Sequence, residues 1–249
     1  MANILEVQHL YKAFGGVKAV RNVSFELSEG QLLAMIGPNG AGKSTCFNLI
    51  NGQLRPDRGD IVIMGKRING SKPRDVWQLG VGRTFQITAT FPSMTVLENV
   101  QMSLLSHHRQ TKSLLRKFRH LHVDEAMALI NLVGIADQAD RPCGVLAYGD
   151  LKRVELAVAL GNQPKLLLMD ETTAGMGPAE SRKLMKLTET IVHTRKIGVL
   201  FTEHDMQVVF DYADRIIVLN RGQTIAEGPP NEIQKNSEVK KIYLGSTSS

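Results

Sequence analysis

Five consecutive apolar residues, Leu32-Leu33-Ala34-Met35-Ile36, run directly into Gly37-Pro38-Asn39-Gly40-Ala41-Gly42-Lys43-Ser44-Thr45. That junction leaves few folds open, because a buried strand must end in a glycine-rich loop that turns at once into a helix. This is the local geometry of a phosphate-binding P-loop. A polyphosphate cradle needs successive backbone N–H groups aimed at one anion, and Gly37, Gly40 and Gly42 are expected where a side chain would block its approach. Pro38, Asn39, Ala41 and Thr45 complete the loop. Lys43 adds a point charge for the β- and γ-phosphates, and Ser44 offers a hydroxyl to a magnesium ion bridging them. A helix over residues 43–50 would direct the positive end of its dipole at the same place.

Composition narrows the remaining classes. With 249 residues, 43% of them hydrophobic, the chain can bury a sizeable core as one large α/β domain or two small ones. No run approaches the roughly 18 apolar residues of a membrane span, and the start, Met1-Ala2-Asn3-Ile4-Leu5-Glu6, has neither a basic region nor an apolar signal core. The chain itself is therefore expected in the cytosol. Cys46 and Cys143 are far apart and outside any CxxC spacing, so neither a disulfide framework nor a zinc site is indicated, and both are expected as small buried apolar residues. The net charge of +6 is modest for this length. Its densest patch, residues 107–122, holds Arg109, Lys112, Arg116, Lys117 and Arg119 with Phe118 as its only aromatic. Stacking platforms for bases are missing, so this segment reads as a solvated helical face, with a membrane-facing or partner surface as the alternative, and no nucleic-acid partner is expected.

Apolar runs alternate with helical patterns along the chain. Residues 3–9 and 17–27 read as antiparallel strands, 32–36 as a buried strand and 60–64 as another. Between about residues 92 and 160 the signal becomes helical: Ala126, Leu129, Ile130 and Val133 recur at helical spacing, and Gly134 follows as a stop. Short apolar strands return at 166–169, 199–202 and 215–219, with a helix that opens at Pro178 and repeats Leu184, Leu187 and Ile191. The expected architecture is α/β: a P-loop NTPase core with a parallel sheet, an N-terminal antiparallel β-subdomain and an inserted α-helical subdomain.

The strand at 166–169 leads into Asp170-Glu171, two carboxylates at the C-terminal end of a buried strand, where α/β sheets collect their ligands. It fits a Walker B strand. Asp170 would hold the magnesium, directly or through water, while Glu171 would act as general base or orient water towards the γ-phosphate. With the P-loop upstream, the pair implies nucleotide hydrolysis.

Three further pieces make the chain resemble the ATP-binding subunits of ABC transporters over nearly its whole length. Gln86, after Gly82-Arg83-Thr84-Phe85, matches the Q-loop glutamine, and the resemblance makes it a sensor of γ-phosphate and magnesium that links the core to the helical subdomain. His204, in Phe201-Thr202-Glu203-His204-Asp205, matches the switch histidine. Leu146-Ala147-Tyr148-Gly149-Asp150, followed by a helix from Leu151, stands at the signature motif. In the family this motif, here Ala147, Tyr148 and Gly149, closes on an ATP held by the P-loop of the opposite subunit, so that two ATPs join a head-to-tail dimer. Phe14 matches the aromatic that stacks on adenine, with Tyr11 as a second candidate and a core position as the alternative reading of Phe14. Ala174-Gly175-Met176-Gly177 stands at the D-loop. The resemblance thus implies ATP and Mg2+ as ligands, with Lys43, Gln86, Glu171 and His204 catalytic and Ser44, Gln86 and Asp170 at the metal. It also implies one ATP-binding domain over 1–245, comprising the core and β-subdomain at 1–86, the helical subdomain at 87–161 and the rest of the core at 162–245, with a disordered tail at 246–249.

The signature departs from the family pattern, because Ala147 replaces the usual serine and Asp150 the usual glutamine. Thr172 also stands where proline is usual. Loss of a hydrogen bond to a charged group, about 1.5–3 kcal/mol, is expected to cost roughly tenfold or more in closure, with hydrolysis surviving at a slower rate. Phe47-Asn48-Leu49-Ile50-Asn51-Gly52, Met94-Thr95-Val96-Leu97-Glu98-Asn99-Val100 and Ile242-Tyr243-Leu244-Gly245 are similar to the branched-chain amino-acid and urea importer branch. That branch pairs two ATPase subunits, identical or related, with two membrane permeases and a periplasmic solute-binding protein, on the cytoplasmic face of the inner membrane. The competing readings are a soluble ABC ATPase acting on nucleic acid or ribosomes, and a slow-hydrolysing nucleotide switch.

Overall fold

The computed structural model describes residues 2–84, 90–108, 110 and 120–244. Gln86, Phe85, Arg109, Lys112, Arg116, Lys117, Phe118, Arg119 and the tail from 245 lie outside the described residues. The chain opens with the antiparallel strands β1 (Asn3–Phe14) and β2 (Val17–Ser28), then β3 (Leu32–Ile36), α1 (Lys43–Ile50), β4 (Arg58–Ile63) and β5 (Lys66–Arg67). A short helix, α2 (Pro73–Gln78), and β6 (Val81–Thr84) lead to three helices, α3 (Val96–His107), α4 (Val123–Leu132) and α5 (Tyr148–Leu160). Strands and helices then alternate through β7 (Leu166–Asp170), α6 (Pro178–Arg195), β8 (Gly198–Thr202), α7 (Met206–Tyr212) and β9 (Arg215–Asn220). The hairpin strand β10 (Gln223–Gly228) and helices α8 (Pro230–Lys235) and α9 (Ser237–Leu244) finish the described chain.

Two sheets result, one in the order β2-β1-β4-β5 and the other in the order β10-β9-β3-β8-β7-β6. The first is antiparallel throughout, whereas in the second only β10 runs against its neighbour. Side-chain alternation on β3 explains why its sequence is continuously apolar. Leu32, Ala34 and Ile36 enter the core shared with α3, α4 and α5, while Leu33 and Met35 enter the core shared with α1 and the antiparallel sheet. The parallel strands end at one edge, and the loops after β3, β7 and β8 meet there.

The helical region has its own local logic. The hydroxyl of Thr95 accepts a hydrogen bond from Glu98 N (3.1 Å), and the Glu98 carboxylate accepts one from Thr95 N (3.0 Å), a capping box that fixes the start of α3. Asn99 is buried and donates to the carbonyls of Phe91, Met94 and Thr95 while accepting from Phe91 N, so the approach to α3 is held from inside. Ala126, Leu129, Ile130 and Val133 are buried as the spacing predicts, and Gly134 follows α4 with φ 73.

Several elements carried no readable signal. In β6, Val81 is the only large apolar residue, and β10, with no buried residue, reads as a loop. The signature helix begins at Tyr148 rather than Leu151, so Gly149 and Asp150 form its first turn. Ala147 is its N-cap and provides no side-chain acceptor.

Candidate functional site

The glycine loop occupies the junction between the sheets. Gly42 has φ 107, and a methyl group there would lie 2.4 Å from the Ala19 carbonyl oxygen on β2. At Gly37, with φ 153, it would lie 2.2 Å from the carbonyl oxygen of Leu219 on β9. These glycines are therefore required by the protein's own backbone, in addition to any need for an anion's approach. Gly40 has open space around it and needs glycine for its φ of 78. The first turn of α1 receives no side-chain cap, leaving its N–H groups to the loop's interior, as an anion site requires.

Lys43 is buried at the centre of this loop, donating to the carbonyls of Gly37 (2.7 Å) and Pro38 (3.3 Å). Burial lowers its pKa, and the carboxylates of Glu171 and Asp170 oppose that shift. A cleft of about 670 Å³ opens over it, with Asn39, Gly40, Ala41, Gly42, Ser44 and Thr45 on its floor and Glu171 in its wall. Phe14 stands at the rim, 47% exposed, so the core alternative for this ring fails. Tyr11 instead lines a neighbouring groove with Lys12 and Arg58. Lys18, Arg21 and Arg221 also line the cleft and were not distinguishable in sequence, since each sits singly among surface residues.

The carboxylates are set by β8. The Thr202 hydroxyl donates to Asp170 Oδ1 (2.8 Å) and accepts from the backbone N–H of Glu171 (3.0 Å), which also donates to the Thr202 carbonyl (3.1 Å). One buried hydroxyl thus fixes both acidic residues. Glu171 has φ 49, an unusual value for a side chain of this size, and its Oε1 lies 2.7 Å from His204 Nε2. Arg83, at the end of β6, lies 3.5 Å from Asp170 Oδ2 and donates to Asn48 (3.1 Å). Glu203 is buried and accepts from Thr173 N (2.8 Å); desolvation raises its pKa, and these hydrogen bonds partly counter the rise. Thr172 has found a different partner from the usual proline's packing, its hydroxyl lying 3.2 Å from that of Thr84. Thr202 and Arg83 were missed as well: Thr202 was visible only as a strand end, and Arg83 only as part of the stretch before Gln86.

The structure brings residues 39–45, Phe14 and Glu171 around one cleft, with Gly37 and Pro38 bonded to Lys43 and with Asp170 and His204 bonded into its wall. Ala147 and Gly149 lie elsewhere, in a shallow recess with Asp150, Met176 and Glu180. The ABC transporter family profile matches residues 20–174. The chain belongs to this family. A second profile, the branched-chain amino acid ATP-binding cassette transporter family, matches residues 223–247. Among curated relatives of this ABC ATPase, the high-affinity branched-chain amino acid transport ATP-binding protein LivG of Salmonella typhimurium is 37% identical over 252 residues, covering 97% of this chain and 98% of LivG. BraF of Pseudomonas aeruginosa, which carries the same description, is 36% identical over 97% of this chain and 98% of its own. The ADP conformation of MJ1267, an ATP-binding cassette of an ABC transporter, matches with a TM-score of 0.88 at 30% identity, covering 98% of this chain and 100% of MJ1267. The family and fold expected from the P-loop, acidic pair and signature region are therefore the observed ones.

Within the ABC framework the recess around Ala147 has one internal tie. The Tyr148 hydroxyl donates to the carbonyl of Ala174 (3.0 Å), linking the start of α5 to the loop after β7 in the same chain. Tyr148, expected at a partner's ATP, thus also has an intrachain partner. Beneath it, the buried Lys152 ammonium lies 5.3 Å from the Tyr148 ring centroid and 3.0 Å from Glu155.

Proposed function

We propose that this chain is the ATP-hydrolysing subunit of a membrane importer for branched-chain amino acids, acting as a dimer of cassettes with two permeases. The observation that carries this reading is the cleft in which the uncapped first turn of α1, Lys43 and Glu171 face the same volume. Its amides and ammonium suit a polyphosphate, and the exposed Phe14 ring suits an adenine. Glu171 would orient the attacking water and accept its proton, with His204 steering that carboxylate and contacting the γ-phosphate. Ala147, Tyr148 and Gly149 would close on the ATP of the partner cassette, and Gln86 would report nucleotide state to the helical subdomain.

The donor set also fits magnesium: Ser44 and Asp170, with Gln86, offer oxygen ligands only, as a hard cation prefers. When bound, the ion supplies positive charge to the β- and γ-phosphate oxygens. No helix among the described residues is long and apolar enough to cross a membrane, so attachment to the cytoplasmic face would come through the permeases. Exposed Phe91 and Val145 suit that contact, since their loops are joined by the hydrogen bond from Gly144 N to Pro92 O (2.9 Å). The solute is contacted by other polypeptides, and the branched-chain assignment rests on the relatives and on the C-terminal match. The test is gentle purification of the chain from detergent-solubilised membranes of its host, followed by mass spectrometry and uptake of labelled leucine in a deletion strain. Co-purifying permeases and lost leucine uptake are expected; recovery with ribosomes or without partners would overturn the importer reading.

Ala147→Ser tests the role of the altered signature. A serine N-cap would accept from the first turn of α5 and raise unfolding stability by about 1 kcal/mol. It would also restore a donor to the partner's γ-phosphate, so ATP turnover of a self-paired dimer is expected to rise roughly tenfold. Greater stability with unchanged turnover would reduce the residue to a helix cap.

A further inference from the structure

The facing ends of α3 and α4 bring together side chains that the nucleotide chemistry does not use. His108 follows the last turn of α3, His122 precedes the first turn of α4, and Glu125 lies within that turn. Glu125 Oε2 lies 3.1 Å from His108 Nε2 and 3.3 Å from His122 Nδ1. One ligand atom from each of the three side chains falls within 4.8 Å of the other two. With ligands about 2.0–2.1 Å from a tetrahedral zinc ion, neighbouring ligand atoms are roughly 3.3–3.4 Å apart. Two edges of such a tetrahedron therefore have nearly the required length.

Hydrogen bonding orients one ring. His122 Nε2 lies 3.0 Å from the amide oxygen of Gln110, an acceptor to which it can donate. Its other nitrogen, Nδ1, faces the Glu125 carboxylate at 3.3 Å, and a divalent cation seated between the two would be bound by both. The Gln110 contact is also the outer hydrogen bond that fixes the tautomer of a metal-binding histidine. His108 stacks on His122 with centroids 4.3 Å apart and an interplanar angle of 7°. The parallel rings do not yet converge on a point. His108 supplies the freedom to do so, its side chain being 34% exposed.

We propose that His108, His122 and Glu125 bind a divalent transition metal of the zinc class, with solvent completing the coordination, and that this ion clamps the end of α3 to the start of α4. Imidazole with carboxylate favours zinc, nickel or cobalt over magnesium, so the site differs in chemistry from any ion beside a nucleotide. In sequence only His122 and Glu125 stand together, three residues apart; the facing helix ends bring His108 to them.

The test uses the full chain, stripped with chelator and saturated with Mg-ADP, titrated with Zn2+ by calorimetry beside His108→Ala/His122→Ala. The wild type is expected to bind one more Zn2+ per chain than the double variant, and Zn2+ should raise the thermal midpoint of the wild type only. Gln110→Ala should weaken that binding about 10–100-fold, as loss of an outer-shell partner does elsewhere. If the double variant does not fold, Glu125→Gln replaces it as the shape-preserving comparison. Equal zinc stoichiometry in wild type and variant, or a zinc-induced midpoint shift that persists in the variant, would overturn the site. Basal ATP turnover without zinc should be unchanged by these substitutions.

Discussion

Glu171→Gln is expected to lower ATP turnover by at least about 10²-fold while leaving nucleotide binding intact. The replacement keeps the length and shape of the side chain, and its backbone N–H keeps both bonds to Thr202. What disappears is the capacity to take a proton from water. An amide beside His204, where the carboxylate oxygen now lies 2.7 Å away, still fills the wall of the cleft, so ATP should still enter. ATP-bound cassettes should then accumulate as dimers, because closure no longer ends in hydrolysis. Turnover measured by phosphate release, alongside size-exclusion chromatography with and without ATP, checks both halves. A loss below tenfold without dimer accumulation would show that Glu171 is not the base, and would favour the nucleotide-switch reading.

Gly42→Ala is expected to damage the fold before it damages chemistry. The added methyl meets the Ala19 carbonyl at 2.4 Å, and the residue is held at φ 107, which alanine adopts only under strain. Backbone strain alone costs about 1–2 kcal/mol, and displacing a carbonyl inside a sheet adds to it, so a loss above about 3 kcal/mol is predicted. Gly40→Ala separates the two contributions. Nothing lies within 4 Å of a methyl there, so only the strain at φ 78 remains, and the loss should stay near 1–2 kcal/mol. Denaturant unfolding of the two variants checks the ordering, and equal losses would refute the backbone clash.

The sequence made the strand-loop-helix at 32–50 legible because every constraint there is local: a continuous apolar run, glycines and a helix start follow one another without interruption. The same holds for α4, whose spacing matched its buried face, and for Pro178 at the start of α6. What stayed hidden depends on partners distant in the chain. Thr202 orients Asp170 and Glu171 across a strand pairing, and Arg83 reaches Asp170 across another. Strand β6 has too few apolar residues to announce itself and exists because β7 pairs with it. The start of α5 was placed late because Tyr148-Gly149-Asp150 has poor helix formers, although Asp150 suits the first turn by its charge. Gln86 keeps the role proposed from its motif alone, outside the described residues.

The seating of Gly37 against β9 and Gly42 against β2 makes the nucleotide loop a joint between the two sheets. A descendant that stopped hydrolysing ATP could exchange Lys43 or Glu171 without touching that joint, yet could not lose these glycines and still assemble. Glycines at these positions in a relative therefore testify to shared architecture, whereas the lysine and the glutamate are the residues whose loss would betray a silent cassette.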